Sequence, residues 1–283
     1  MMPVQSIGEQ LDREAELFYE AHKPPTDLIF DDGAEMESNR HRIAMTVLIR
    51  SAEQGLANRN DFFVGGNMFI YYSAKQIRNQ DFRGPDFFAV LGVDSNTSRQ
   101  GWVVWEENGR YPDVIVELLS PSTANQDTGK KKDIYEQVFR TPDYFVFDPF
   151  EPNSLQGWRL DANLRYQPLV PDERGWLWCE TLGFWLGAWE GIVDRETAVW
   201  VRFYDESGNL ILLPEEAAQQ QAEAAQQQAE TAQQQAEAAQ QQAEAAQQQA
   251  EAAQQQAEAA QQRASRLEAR LRELGEDPNA LNQ

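Results

Sequence analysis

The chain has 283 residues, 24 Lys+Arg against 46 Asp+Glu, and a formal net charge of -22. A single cysteine, Cys179, excludes a disulfide framework, and with only His22 and His41 beside it no ordinary all-protein zinc site can be built. No run approaches about 20 uncharged apolar residues, and the start MMPVQSIGEQLDREAELF has no basic segment leading into an apolar one. No membrane span or secretory signal is therefore expected, and a cytoplasmic setting is.

All the aromatic residues, 14 Phe, 8 Trp and 8 Tyr, precede Pro214, whereas the tail is mostly Ala, Gln and Glu. This predicts two parts, a domain over 1–214 large enough to bury its own core and a tail over 215–283. Both parts are acidic. A surface of that sign repels phosphate backbones, an objection that any nucleic-acid function has to meet.

In chain order, residues 5–22 read as an amphipathic helix with Ile7, Leu11, Leu17 and Phe18 on one side. Thr26–Asp32 is a short extended piece ending in a turn. A second helix is expected over 37–57, with Ile43, Ala44, Val47 and Leu48 on its apolar face and Ser38 or Asn39 as cap. Phe62–Tyr72 reads as a strand, or a hairpin bent at Gly65-Gly66, and Asp86–Val93 as a short apolar strand. Pro112–Leu119 is almost continuously apolar, as in a central strand covered on both faces. A helix over 128–139 and a strand over Asp143–Asp148 follow. The Trp-rich stretch to residue 204 reads as antiparallel hairpins that bury Trp158, Trp176, Trp185 and Trp200.

From Ala217 the sequence AEAAQQQ repeats every seven residues. Alanines recur from 222 to 264 in steps of three and four, and Leu267, Leu271 and Leu274 continue the phase. That is an a/d seam of a left-handed coiled coil. Pro214, Glu215 and Glu216 suit its start, and Gly275 with Asp277-Pro278 suits its stop. An alanine buries about 2 kcal/mol less than a leucine, so association should be weak and strongest at the far end. The competing reading is a solvated spacer helix.

Glu117 is the residue that does not belong. It lies in Val114-Ile115-Val116-Glu117-Leu118-Leu119, where a carboxylate costs several kcal/mol unless paired, protonated or metal-bound. Alternation puts Asp113, Ile115 and Glu117 on one face, and Asp86 starts the preceding strand. Two or three oxygen ligands without His or Cys suit Mg²⁺ or Mn²⁺. Asp127, Lys131 and Tyr135, spaced by four, share a helical face, from which Lys131 can reach back to the carboxylates. The competing readings are a structural ion pair or an edge strand for Glu117, and a solvated basic face for Lys130-Lys131-Lys132. A serine hydrolase is disfavoured because no GxSxG elbow is present, and Gly65-Gly66 is no P-loop because no GK[ST] follows. His41 reads as a polar surface or capping residue.

The stretch PDVIVELLSPSTANQDTGKKKDIYEQVFRTPDYFVFDP resembles the signature of the Uma-type family of restriction-endonuclease-like proteins. That signature runs PD, apolar, E, apolar, SPST, then D-x3-K-x3-Y, then an acidic-aromatic-apolar strand ending in DP. The resemblance spans roughly 25–205 and implies membership of the PD-(D/E)-x-K nuclease superfamily. The implied fold is α/β, with a restriction-endonuclease-like αβββαβ core over about 25–150. Antiparallel β-hairpins form an appendage over 151–213, and the long C-terminal coiled-coil helix follows. Asp86 takes the place of the first acid and Glu117 that of the second. The position of the usual lysine is held by Leu119, a departure that fits a lysine moved to the next helix as Lys131. Glu37 is a possible further acid and Asp113 a rival for the metal. The implied activity is hydrolysis of phosphodiester bonds in nucleic acid, DNA first, with Mg²⁺ or Mn²⁺ on Asp86 and Glu117 and a homodimer as the assembly. The alternatives are an inactive nuclease-fold binding module and a coiled-coil scaffold.

Overall fold

The computed structural model describes residues 28–30, 38–73, 84–121 and 124–274. The expected helix over 5–22, Glu37 and the expected stop after residue 274 lie outside them. Helix α1, Asn39–Gly55, lies within the expected 37–57, and of the two candidate caps it is Ser38 that serves: its side chain accepts from the His41 amide. Its face of Ile43, Ala44, Val47, Leu48 and Ala52 is buried.

The strands are β1 (Phe62–Gly65), β2 (Ile70–Tyr71), β3 (Phe87–Leu91), β4 (Trp102–Val103), β5 (Val114–Leu118), β6 (Asp143–Phe147), β7 (Gln156–Leu160), β8 (Tyr166–Pro168), β9 (Leu177–Cys179), β10 (Phe184–Val193) and β11 (Glu196–Tyr204). The main sheet has the order β1-β3-β5-β6-β7-β8, with β5 and β6 parallel and the other neighbours antiparallel. β5 is fully buried along its length. Val114, Val116 and Leu118 face a core shared with α1 and β9–β11. Ile115 and Leu119 face a second core of Phe88, Tyr135, Phe139 and Tyr144. Cover on both faces explains the unbroken apolar run.

The path over 62–72 differs from the expected strand or hairpin. It splits into β1, which pairs with β3, and β2, which pairs in parallel with β4 in a separate two-stranded sheet. β7 and β8 extend the main sheet, and only β9, β10 and β11 form a further three-stranded sheet. Of the four tryptophans expected inside, Trp200 is buried, while Trp158, Trp176 and Trp185 are half-buried. Trp176 lies on Tyr204 with ring centroids 3.7 Å apart, and the second fully buried tryptophan is Trp102. Arg202, also buried, is held by Glu216 at 2.7 and 3.1 Å and by the Ile211 carbonyl.

Chain contacts divide between Glu216 and Ala217. After α1 come helix α2, over 124–139, and helix α3, Pro214–Glu273, which has no buried residue and is roughly 90 Å long at about 1.5 Å per residue. In its first turn Glu216 accepts from the Leu213 amide, as the acid of a capping box does. Along the repeat, six glutamines donate to glutamates four residues on, from Gln219–Glu223 to Gln254–Glu258. No helix among the described residues is long and apolar enough to cross a membrane.

Candidate active site

β3 and β5 pair antiparallel with Phe87 opposite Val116 and Phe88 opposite Ile115. One step further along this register sets Asp86 opposite Glu117. Asp86 Oδ2 accepts from the Leu118 amide at 2.7 Å, and each of the two carboxyls acts on the titration of the other. Glu117 is 1% exposed. Asp86 keeps a partly open surface.

The turn after β1 seats Asp86. A Cβ on Gly66 would collide with the Asp86 carbonyl oxygen and press on Ile49 and Met45. Asn67, left-handed at φ 49°, donates its amide to the Pro85 carbonyl at 2.8 Å. Glycine at 66 therefore serves close backbone approach. Gly66→Ala is expected to cost about 1–3 kcal/mol of unfolding free energy by overpacking. Urea unfolding checks this, and wild-type stability would show that the turn yields without strain.

The cation arrives on helix α2, which alternates α-helical turns (Ala124–Gln126, Lys132–Ile134) with π-helical ones (Asp127–Lys131, Tyr135–Phe139). In an α-turn of 3.6 residues, a residue four positions on overshoots the vertical; a wider π-turn undershoots it. Alternation keeps Asp127, Lys131 and Tyr135 in one line facing β5. Lys131 Nζ lies 3.2 Å from Glu117 Oε2 and 2.7 Å from Asp127 Oδ1. The second contact is a charge contact rather than an aligned hydrogen bond, for Asp127 Oδ1 has no hydrogen-bond partner. The Tyr135 hydroxyl donates to Glu117 Oε1 at 2.7 Å, and the Tyr144 hydroxyl donates to the Asp127 carbonyl at 2.8 Å, fixing the first π-turn. The neighbouring lysines diverge: Lys130 is exposed, and Lys132 sits over the Trp158 ring at 3.9 Å.

Three carboxyls thus surround one ammonium in a site largely closed to water. Burial pushes the Glu117 carboxyl well above the usual carboxylate range; Lys131 pulls it down, and Asp86 and Asp127 push it further up. Burial also raises Asp86, against the Leu118 amide and Lys131. For Lys131 burial opposes the charge, but Glu117 and Asp127 outweigh it and hold the ammonium above its ordinary range.

The structure therefore brings Asp86, Glu117, Asp127, Lys131 and Tyr135 together. Asp113 stands four residues down the strand from Glu117, about 13 Å away, where it accepts from the Leu91 amide and pairs with Arg110. Glu37 is outside the described residues. His41, expected at the surface or as a cap, is buried: its Nε2 lies 3.1 Å from the Leu119 carbonyl and its Nδ1 2.9 Å from Ser38 Oγ. The ring ties α1 to the end of the strand that carries Glu117. Only its place one turn inside the helix start hinted at this, and only a long-range contact supplies the partner.

The fold is thus α/β, with two desolvated carboxyls at a sheet end and a lysine reaching them from the crossover helix. The family model Uma2, described as "Putative restriction endonuclease", matches residues 32–189. That is more than half of the chain, and the protein belongs to the Uma2 family, in agreement with the resemblance drawn from the sequence. Among solved structures, the crystal structure of a putative nuclease from Anabaena variabilis is similar at 12% sequence identity and a TM-score of 0.38, covering 59% of this chain and 89% of that one. No curated protein matches the chain.

Proposed function

We propose that the chain is a divalent-metal-dependent endonuclease acting on DNA. In this reading α1, β1, β3, β5, α2 and β6 form a restriction-endonuclease-like αβββαβ core. The observation that carries it is the facing pair of a partly open Asp86 and a buried Glu117, the latter placed at a cost that a hard cation would offset, with Lys131 beside it. The donor set fits Mg²⁺ or Mn²⁺: two carboxylates with water in the other positions is the way Mg²⁺ is usually taken. Among the described residues no group of three His, Cys, Asp or Glu gathers as a larger ligand set. When bound, the cation supplies electrophilic assistance to phosphate-ester hydrolysis.

The protein groups have separable roles. The Leu118 amide orients Asp86, and Tyr135 fixes the rotamer of Glu117. Lys131, held as an ammonium, donates to a phosphate oxygen or to the attacking water and stabilises the negative charge that develops. Its raised affinity for a proton makes it an electrostatic partner rather than a resting-state base. The acidic exterior is compatible with this, because the field at the cleft matters more than the sum, but DNA binding should be weak and salt-sensitive. The enzyme is proposed to act in the cytoplasm, where its free Cys179 stays reduced, as a homodimer joined through a coiled coil of α3.

The test is cleavage of plasmid and of single- and double-stranded oligonucleotides by the full chain with Mg²⁺, Mn²⁺ or EDTA. Asp86→Asn is expected to lower metal-dependent cleavage by about 10²–10³-fold. Undiminished cleavage by that variant rejects the site assignment. Absence of both cleavage and millimolar metal binding by calorimetry favours the binding-module reading.

A further inference from the structure

The heptad phase of α3 decides how two copies can meet. Ala222 and its successors to Ala264 take position a, Ala225 and its successors to Ala260 take d, and Leu267, Leu271 and Leu274 continue as d, a and d. Leu267 and Leu274 are 66% and 65% exposed on a helix that buries nothing. Through the repeat the flanking e and g positions are glutamine, as at Gln226 and Gln228, and carry no information about orientation. Charge enters the flanks only near the end, with Arg263 at g, Glu268 at e and Arg270 at g.

These three charges discriminate between arrangements. In a parallel, in-register pair each g faces the e that follows five residues later on the other helix. Arg263 then meets Glu268 of the second copy, twice by symmetry, and all leucines stack on leucines. An antiparallel pair centred on the leucines sets g against g and e against e, so that Arg270 approaches its own copy and Glu268 likewise. An antiparallel pair along the whole helix lays the leucines on alanines and forfeits every leucine layer. In either antiparallel form the seam is poorer or the flanks repel.

We propose that α3 joins two copies of this chain in parallel and in register, closed at its C-terminal end by Leu267, Leu271 and Leu274 and oriented by reciprocal Arg263–Glu268 pairs. The inference deepens the homodimer in the proposed function and is independent of the chemistry at Glu117. By chain connectivity, a parallel pair places the Pro214 ends of both helices, where the two α1–β11 units attach, on the same side of the pair.

Sedimentation equilibrium of the full chain reads the assembly without reference to catalysis, so a dimer without nuclease activity, or activity without a dimer, separates the two proposals. The wild type is expected to be a dimer. The triple variant L267A/L271A/L274A is expected to be a monomer with undiminished helix content, because alanine favours the helix. Arg263→Glu should weaken association about three- to tenfold, and R263E/E268R should restore it. Ala264→Cys should form a disulfide-linked dimer on oxidation, while the parent chain with its buried Cys179 does not. A monomeric wild type, a dimer that survives the triple variant, a charge swap without rescue, or a dimer that Ala264→Cys fails to cross-link would each overturn the proposal.

Discussion

Lys131→Met is expected to destabilise the metal-free protein by about 3–5 kcal/mol at pH 8, the range for removing one partner of a buried ion pair. Among the described residues the ammonium is the one positive charge in contact with Glu117 and Asp127, and it also lowers Asp86. The loss should depend on pH in a defined direction. Glu117 and Asp86 both titrate above their ordinary values in the folded state. Across that window the folded protein holds more protons than the unfolded one, so their contribution to stability is complete at acid pH and is lost as the pH rises through the raised values. Without Lys131 both values rise further, and the deficit of the variant should be largest at alkaline pH and shrink towards pH 5. Urea unfolding of both proteins at pH 5 and pH 8 measures this. Equal deficits at the two values would show that the lysine acts through packing of its stem rather than through its charge.

Glu117→Gln should separate function from stability. Metal-dependent cleavage is expected to fall by about 10³-fold, and calorimetry should show loss of the corresponding metal affinity. The folded state should be no less stable than wild type and is expected to gain, because a neutral amide of the same shape removes a buried charge. The Tyr135 hydroxyl can still donate to the amide oxygen; the amide NH2, now in the place of Oε2, has to turn from Lys131 towards the Asp86 carboxyl, and Lys131 keeps Asp127. A structural ion pair, the competing reading of an acid inside a strand, predicts the opposite: a clear drop in melting temperature with cleavage retained by the folded fraction. Thermal unfolding and plasmid cleavage on the same preparations decide between the two.

How much of this was legible beforehand depends on whether the cause is local. The buried centre of the sheet could be read because a strand covered on both faces has no polar positions to spare, which is also why Glu117 stood out. The cap, narrowed to Ser38 or Asn39, the apolar face of α1 and the seven-residue repeat are local patterns and could be read directly. The partnership of Asp86 with Glu117 is a matter of antiparallel register between strands more than twenty residues apart, so the sequence offered only its plausibility. Three consecutive lysines look alike in a sequence. Which of them turns inward is decided by the π-turns of α2, and those depend on contacts such as the one from Tyr144 to the Asp127 carbonyl. The path through β2 and β4, the burial of His41 and the half-exposure of three tryptophans likewise follow from packing between distant segments.

The glutamine–glutamate pairs along α3 have a consequence for its response to salt. Each carboxylate is met by a neutral amide, so dissolved ions find no opposite charges to shield, unlike a rod built on glutamate–lysine pairs. The repeat should therefore not lose helix content as ionic strength rises, since the charges to be screened along it are alike. Only the grip at its tip, where arginine meets glutamate, should loosen as ionic strength rises.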